Sequence, residues 1–245
     1  MPVEADITSG HLLDGRVAYA QPRSGFRSGI EPVLLAASVP ARPGDHVIEA
    51  GSGAGAALLC LAARVPCVSG IGVERDAGLA ALAQANAAAN RMEKLVFHAG
   101  DIATFDAGQG RFDHAFANPP YHAPDGSVSP VHRRAAAKQA DTGLFAIWAE
   151  RLARTLRHRG TLTFIVPSSR VQACLIAMAA ACCRADALFP LWPHAEDAAK
   201  LVLLRGIRNN RGALRVLPGL VLHEPDGSFT MAADAILRGG GALRF

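Results

Sequence analysis

Lysine is scarce in this chain: Lys94, Lys138 and Lys200 are the only three among 25 basic residues. Charge imbalance is also small. Against those 25 stand 21 acidic residues, so the net charge is +4, modest beside strongly basic nucleic-acid binders. The five cysteines (Cys60, Cys67, Cys174, Cys182 and Cys183) are too few and too irregularly spaced for a disulfide framework, and they fit a reducing, cytosolic compartment. No apolar run approaches the ~20 residues of a membrane span. Met1–Leu12 carries Glu4 and Asp6 and no apolar centre, unlike a signal peptide. The histidines lack metal-ligand spacing, so no metal site is expected. Hydrophobic residues are abundant, at half of 245. That excludes a disordered chain and leaves ample sequence for one large domain with a buried core.

Proline and glycine cut the chain into short strands and medium helices. Gly15–Gln21 alternates as a strand. Glu31-Pro32 opens a helix with proline in its first turn. His46–Glu49, Ser69–Glu74, Leu95–His98, Phe112–Ala117 and Thr161–Val166 read as strands. Ala56–Ala63, Asp76–Asn90, Gly143–Arg157 and Val171–Cys183 read as helices, with Asp76 placed to cap its own. Leu201–Arg205 and Leu214–Leu217 are further strand candidates, followed by a Pro225-Asp226-Gly227 turn. This alternation predicts a parallel sheet covered by helices on both faces. Ligands of such sheets sit beyond the carboxyl ends of the strands, where Glu49, Gly51, Glu74, Asp101 and Asn118 all fall.

Two segments carry the chemistry. In Ile48-Glu49-Ala50-Gly51-Ser52-Gly53-Ala54-Gly55 the glycines let a ligand approach the backbone. The loop also fits a dinucleotide fingerprint. Glu49, two residues before Gly51, favours a ligand carrying ammonium and sulfonium charge over a pyrophosphate. Glu74 is placed to accept both hydroxyls of a ribose. Asp101, with Ile102 beside it, suits the amino group of an adenine. The second segment is Asn118-Pro119-Pro120-Tyr121. Its prolines remove two N–H donors and bias the chain to extended conformations. The Asn118 amide oxygen and the Pro119 carbonyl then form a paired acceptor for a planar NH₂ group, and Tyr121 offers a face on which a base can stack. His122, Arg133, Arg134 and Lys138 follow closely. Arg133 and Arg134 are candidate phosphate contacts and His122 a candidate substrate contact. Arg205, Arg208, Arg211 and Arg215 form a second basic stretch, either exposed or in contact with RNA. Trp148 and Trp192 read as core or interface residues.

Taken together, Glu49–Gly55, Glu74, Asp101 and Asn118–Tyr121 resemble the class I S-adenosylmethionine-dependent methyltransferases that modify exocyclic or amide nitrogens. Gln21-Pro22-Arg23-Ser24-Gly25-Phe26-Arg27-Ser28-Gly29-Ile30-Glu31 and the tail Pro218–Glu224 with Asp226-Gly227 are similar to the bacterial tRNA(Val) adenine-N6 methyltransferase family. Glu31 stands where that family usually has Asp. The resemblance runs roughly from Gly15 to Leu237. It implies a Rossmann-like α/β fold, with a seven-stranded, mostly parallel sheet whose last strands are antiparallel. Residues 1–40 would form a strand-and-helix cap over the cofactor, and residues 41–245 the methyltransferase domain. It also implies S-adenosylmethionine as cofactor, held by Glu49, Gly51, Gly53, Glu74, Asp101, Ile102 and Asn118. The substrate would be a tRNA adenine beside the anticodon, held by Asn118, Pro119 and Tyr121. Other readings remain: a protein-glutamine N5 methyltransferase, an RNA-binding protein that keeps the fold without turnover, and a nicotinamide-dependent oxidoreductase.

Overall fold

Phe112–Ala117 is buried along its whole length, as a strand covered on both faces must be. In the computed structural model, which describes residues 7–24, 28–120 and 130–245 (side chains of the last stretch from Gly143), this strand, β6, lies mid-sheet. The strands before it are β1 (Ile7–Leu12), β2 (Val17–Pro22), β3 (His46–Ala50), β4 (Ser69–Glu74) and β5 (Leu95–Ala99). After it come β7 (Leu156–Pro167), β8 (Ala185–Trp192), β9 (Leu201–Ile207), β10 (Arg215–Val216) and β11 (Leu220–Val221). The sheet runs β10-β8-β9-β7-β6-β3-β4-β5, with β11 also on β8. The helices are α1 (Glu31–Ser38), α2 (Ala56–Arg64), α3 (Ala77–Ala89), α4 (Pro130–Thr155), α5 (Val171–Ala180) and α6 (Met231–Leu237).

Among the described residues the sheet therefore has nine strands, not seven: seven of full length and two edge pieces of two residues each. Of the full-length strands only β9 is reversed, lying antiparallel to both β7 and β8. Two apolar cores flank the sheet. Leu34, Leu58, Ala83 and Ile236 bring α1, α2, α3 and α6 onto one face. Phe145, Leu152 and Met178 bring α4 and α5 onto the other. Alternation along β3 sends Val47 to the first core and Ile48 to the second.

Several boundaries differ from the sequence reading, each for a physical reason. β8 contains Pro190, and a proline argues against a paired strand. Here the ladder on that side breaks at the proline: β10 pairs up to Leu188 and β11 resumes at Leu191. Between them Gly219, at φ +84°, passes so close to the Pro190 carbonyl that a Cβ would lie 2.4 Å from its oxygen. Helix α4 begins at Pro130 rather than Gly143, because its first turns carry alanine and charge without an apolar stripe. It ends at Thr155, since Leu156 already pairs with Phe112. Arg208 closes that end by donating to the Ala153 and Arg154 carbonyls. Arg205 lies bidentate on Asp186 and over the Phe245 ring. Arg215 also reaches Asp186, at 3.3 Å, so three of the four arginines of the second basic stretch are engaged within the chain.

Toward the amino-terminal ends of β3 and β6, away from the predicted site, His114 is 8% exposed. Its ring nitrogens meet Thr161 Oγ1 at 2.8 Å and Asp45 Oδ2 at 3.1 Å. Burial lowers its affinity for a proton, and Asp45 only partly opposes this. The unfolded chain therefore binds that proton first. Stability is expected to fall as pH drops below the ordinary histidine value of ~6.5, and to level off once His114 itself protonates. Melting curves between pH 7 and 5 check this: the wild-type midpoint should fall more steeply than that of His114→Gln. Parallel slopes would clear His114.

Candidate functional site

The site grows from the turn between β3 and α2. Gly51, Gly53 and Gly55 all have positive φ, at 66°, 54° and 91°. At Gly51 a side chain is excluded twice, by conformation and because a Cβ would lie 2.7 Å from the Trp148 ring. The loop is tied to β4: the Gly51 N–H donates to the Val73 carbonyl at 2.8 Å. The Gly53 N–H donates to Glu74 Oε2 at 2.9 Å, and the Asp76 N–H to Glu74 Oε1 at 2.9 Å. Each carboxylate oxygen takes one backbone bond and keeps a lone pair for a ligand hydroxyl. Asp76 then caps α3 by accepting from Gly78 and Leu79, as its position predicts.

Next along the edge, the Gly100 N–H donates to the Glu74 carbonyl at 2.8 Å, which sets Asp101 beside Glu74. Asp101 Oδ1 accepts from the Ala103 N–H, so the side chain closes a local turn rather than capping a helix. Arg151 of α4 fixes this loop, donating to the Ile102 and Phe105 carbonyls. Beyond β6, Asn118 is half-buried and Pro119 buried.

These groups surround one cleft of about 600 Å³. Gly51, Gly53, Glu74, Asp101, Ile102, Asn118 and Pro119 all border it, as the sequence leads one to expect. Glu49 does not. It sits behind the glycine loop in a small adjoining cavity with Tyr19, Ser28 and Ser52, and Gly51, Gly53 and Asn118 border both spaces. Glu49 is 3% exposed. Its Oε2 accepts one bond, from the Leu58 N–H at 3.2 Å in the first turn of α2. A helix N-terminus is worth at most ~2 kcal/mol to an anion, whereas removing a carboxylate from water costs several kcal/mol. Burial therefore prevails and raises the Glu49 carboxyl well above the usual range, with Glu74 adding to it. Ser52 Oγ is buried in the same cavity without a hydrogen-bond partner among the described residues.

The sequence reading missed two walls of the site. Trp148, packed against Gly51, and Leu144, both of α4, also line the cleft. Their apolar helical spacing was indistinguishable from a core stripe, and Trp148 belongs to that core as well. Tyr19 of β2 was also missed. Its hydroxyl lies 2.8 Å from Ser28 Oγ, and burial pushes it up to about 12. Tyr121 and His122 lie outside the described residues, as do the side chains of Arg133 and Arg134. Among the described residues no cluster of three or more His, Cys, Asp or Glu is placed to hold a metal, and no helix is long and apolar enough to cross a membrane.

A twisted α/β sheet with one reversed strand and a ligand-sized cleft at its strand ends defines the methyltransferase class of fold. Among solved structures it is similar to a predicted O-methyltransferase of Agrobacterium tumefaciens, at TM-score 0.71 and 22% identity over 87% of this chain and 97% of that one. It is also similar to geranyl diphosphate C-methyltransferase of Streptomyces coelicolor, at TM-score 0.55 and 14% identity over 73% and 75%. The family model of the methyltransferase small domain matches residues 31–166, and the chain belongs to that family. Its relatives include the tRNA1(Val) (adenine(37)-N6)-methyltransferase of Actinobacillus succinogenes, 34% identical over 151 residues, 60% of this chain and 64% of the relative. The enzyme of the same name from Aeromonas hydrophila is 28% identical over 218 residues, 85% and 87% of the two chains. The match spans a little under two thirds of the Actinobacillus relative's length.

Proposed function

We propose that this protein transfers a methyl group from S-adenosylmethionine to the N6 amine of an adenine in tRNA, beside the anticodon, in the cytoplasm. One observation carries the reading: Asn118 and Pro119 open onto the same cleft as Glu74 and Asp101. Acceptors for a planar amine and acceptors for a nucleoside thus share one space.

The donor set fits the cofactor. Glu74 would take the ribose hydroxyls, and Asp101 the adenine amine, with Ile102 and Trp148 as apolar walls. Glu49 and the Ser52 hydroxyl, which has no partner among the described residues, lie behind the loop and suit a positively charged amino-acid end. When bound, the cofactor supplies an electrophilic methyl on a sulfonium. The chain's part is positioning and electrostatics. The Asn118 amide oxygen and the Pro119 carbonyl accept the two amine hydrogens and turn the nitrogen lone pair toward the methyl. Tyr121 stacks on the base, and the displaced proton leaves to water. The β1–β2 hairpin and α1 would close over the cofactor, with Tyr19 and Ser28 on the small cavity and Glu31 at the cleft.

The test is transfer of labelled methyl to unmodified total tRNA, followed by nucleoside analysis. N6-methyladenosine is expected. Label in glutamine of added protein would instead support the amide-methylating reading. No label in RNA or protein would overturn the proposed activity. A second check concerns the ribose. Glu74→Ala should weaken cofactor binding ~10- to 100-fold, the loss of a charged hydrogen bond of ~1.5–3 kcal/mol, read by calorimetric titration. Unchanged affinity would remove Glu74 from the site.

A further inference from the structure

Glu49 is buried more deeply than a counter-ion to a bound cation needs to be. It has one long backbone hydrogen bond, from Leu58, and no ion pair among the described residues. The charge nearest it in effect is another carboxylate, Glu74 of β4. From the other elements around it come Tyr19 of β2 and Cys60 of α2. Burial pushes both of those up to about 12, so they stay neutral near pH 7, and neither a phenol nor a thiol can act as a cation in any protonation state. The cavity it shares with Ser52, whose hydroxyl has no partner among the described residues, adjoins the cleft, with Gly51, Gly53 and Asn118 lining both.

Resting on the cofactor reading above, we infer that Glu49 is a proton-exchanging counter-ion: neutral without ligand, it gives up its proton when an ammonium group enters this cavity. The O–H bond of the carboxylic acid breaks and its electron pair stays on oxygen. The proton passes to solvent, and the carboxylate left behind pairs with the ammonium, to which Ser52 Oγ adds an acceptor. An isolated buried carboxyl takes the neutral form because desolvation penalises only the charged one. An incoming cation reverses that balance. Cofactor affinity then rises with pH above the ordinary carboxylate range, and Glu49 favours ligands that carry the amino-acid end.

Calorimetric titration with S-adenosylhomocysteine tests this directly, in phosphate and in Tris at the same pH between 6 and 7.5. These buffers differ in ionisation enthalpy. Wild-type binding heats should differ between them by the release of up to one proton, and affinity should rise with pH. In Glu49→Gln the difference should vanish. 5′-Methylthioadenosine, which lacks the ammonium, should bind wild type without releasing a proton. Ligand-free stability provides a separate readout. A carboxyl raised by folding is deprotonated first in the unfolded chain, so stability is lost as pH climbs above the ordinary value of ~4.3 toward the folded one. That loss should be smaller in Glu49→Gln. Binding with equal heats in both buffers would overturn the inference while sparing the cofactor assignment. No binding of S-adenosylhomocysteine at all would overturn both. The wild-type comparison decides the matter even where Glu49→Gln fails to fold.

Discussion

Asn118→Ala is expected to cut methyl transfer at least ~100-fold while cofactor affinity stays within about threefold. The magnitude follows from the ~10²–10³-fold cost of removing one preorganised polar group at a reacting centre. The separation from binding follows from position. Asn118 is the first residue beyond β6, whose last residue, Ala117, pairs with Ala50 on one side and Phe164 on the other. The backbone that presents the amide is therefore fixed by buried sheet, not by the amide itself. Pro119 and Pro120 further restrict it. The half-buried alanine variant should fold normally. Single-turnover transfer to tRNA and a parallel calorimetric titration check both halves. Because Asn118 borders both the cleft and the small cavity, the comparison is informative. If affinity and transfer fall equally, Asn118 holds the cofactor and the proposed amine clamp is wrong.

What the sequence made legible followed from periodicity and punctuation. The bounds of β4 and β6 match the reading residue for residue, because short apolar runs there end at chemically distinct residues, Glu74 and Asn118. The carboxylates were found because strand ends converge on one edge by topology alone. Three things resisted. β8 was hidden by Pro190, whose missing donor matters only once the interrupted edge pairing is known. Trp148 carried the same helical spacing as Leu152, yet lines the cleft as well as the core. Arg205 and Arg208 read as exposed or RNA-contacting charge, because nothing in sequence reveals that Asp186 and the end of α4 are their partners. Glu49 was legible as a carboxylate just before the glycine loop, but its burial behind that loop, away from the cleft, depends on α2 packing over it.

Asn86→Ala, a change outside the cleft, should cost ~3 kcal/mol and lower the melting midpoint by ~6–12 °C for a chain of this size. Asn86 and Asn90 stand one helical turn apart on one side of α3's C-terminal end, and they meet Ala20 and Ala18 of β2. Four residues of helix rise ~6 Å, and two residues of strand ~6.6 Å, so the two amides keep register with alternate strand residues. Asn86 Oδ1 accepts from the Ala20 N–H at 3.0 Å, and its Nδ2 donates to the Ala20 carbonyl at 2.9 Å. Asn90 does the same for Ala18, at 2.8 and 2.7 Å. The helix thus takes the place of a neighbouring strand on the free edge of β2, whose other edge pairs with β1. Asn86 goes one step further, donating to the Ala54 carbonyl of the glycine loop at 3.0 Å. It is 4% exposed, so its removal strands three backbone groups where water has poor access. Asn90 also donates to the Asn86 carbonyl, at 2.7 Å, but it is only half-buried and its partners are more accessible, so Asn90→Ala should cost about half as much. Only Asn86→Ala should also weaken cofactor binding, through the loop. Melting curves and titrations of both variants decide the point. Asn86→Ala melting within 1–2 °C of wild type would mean that Val17 and Tyr19 of β2, buried in the core, hold the hairpin without the amides.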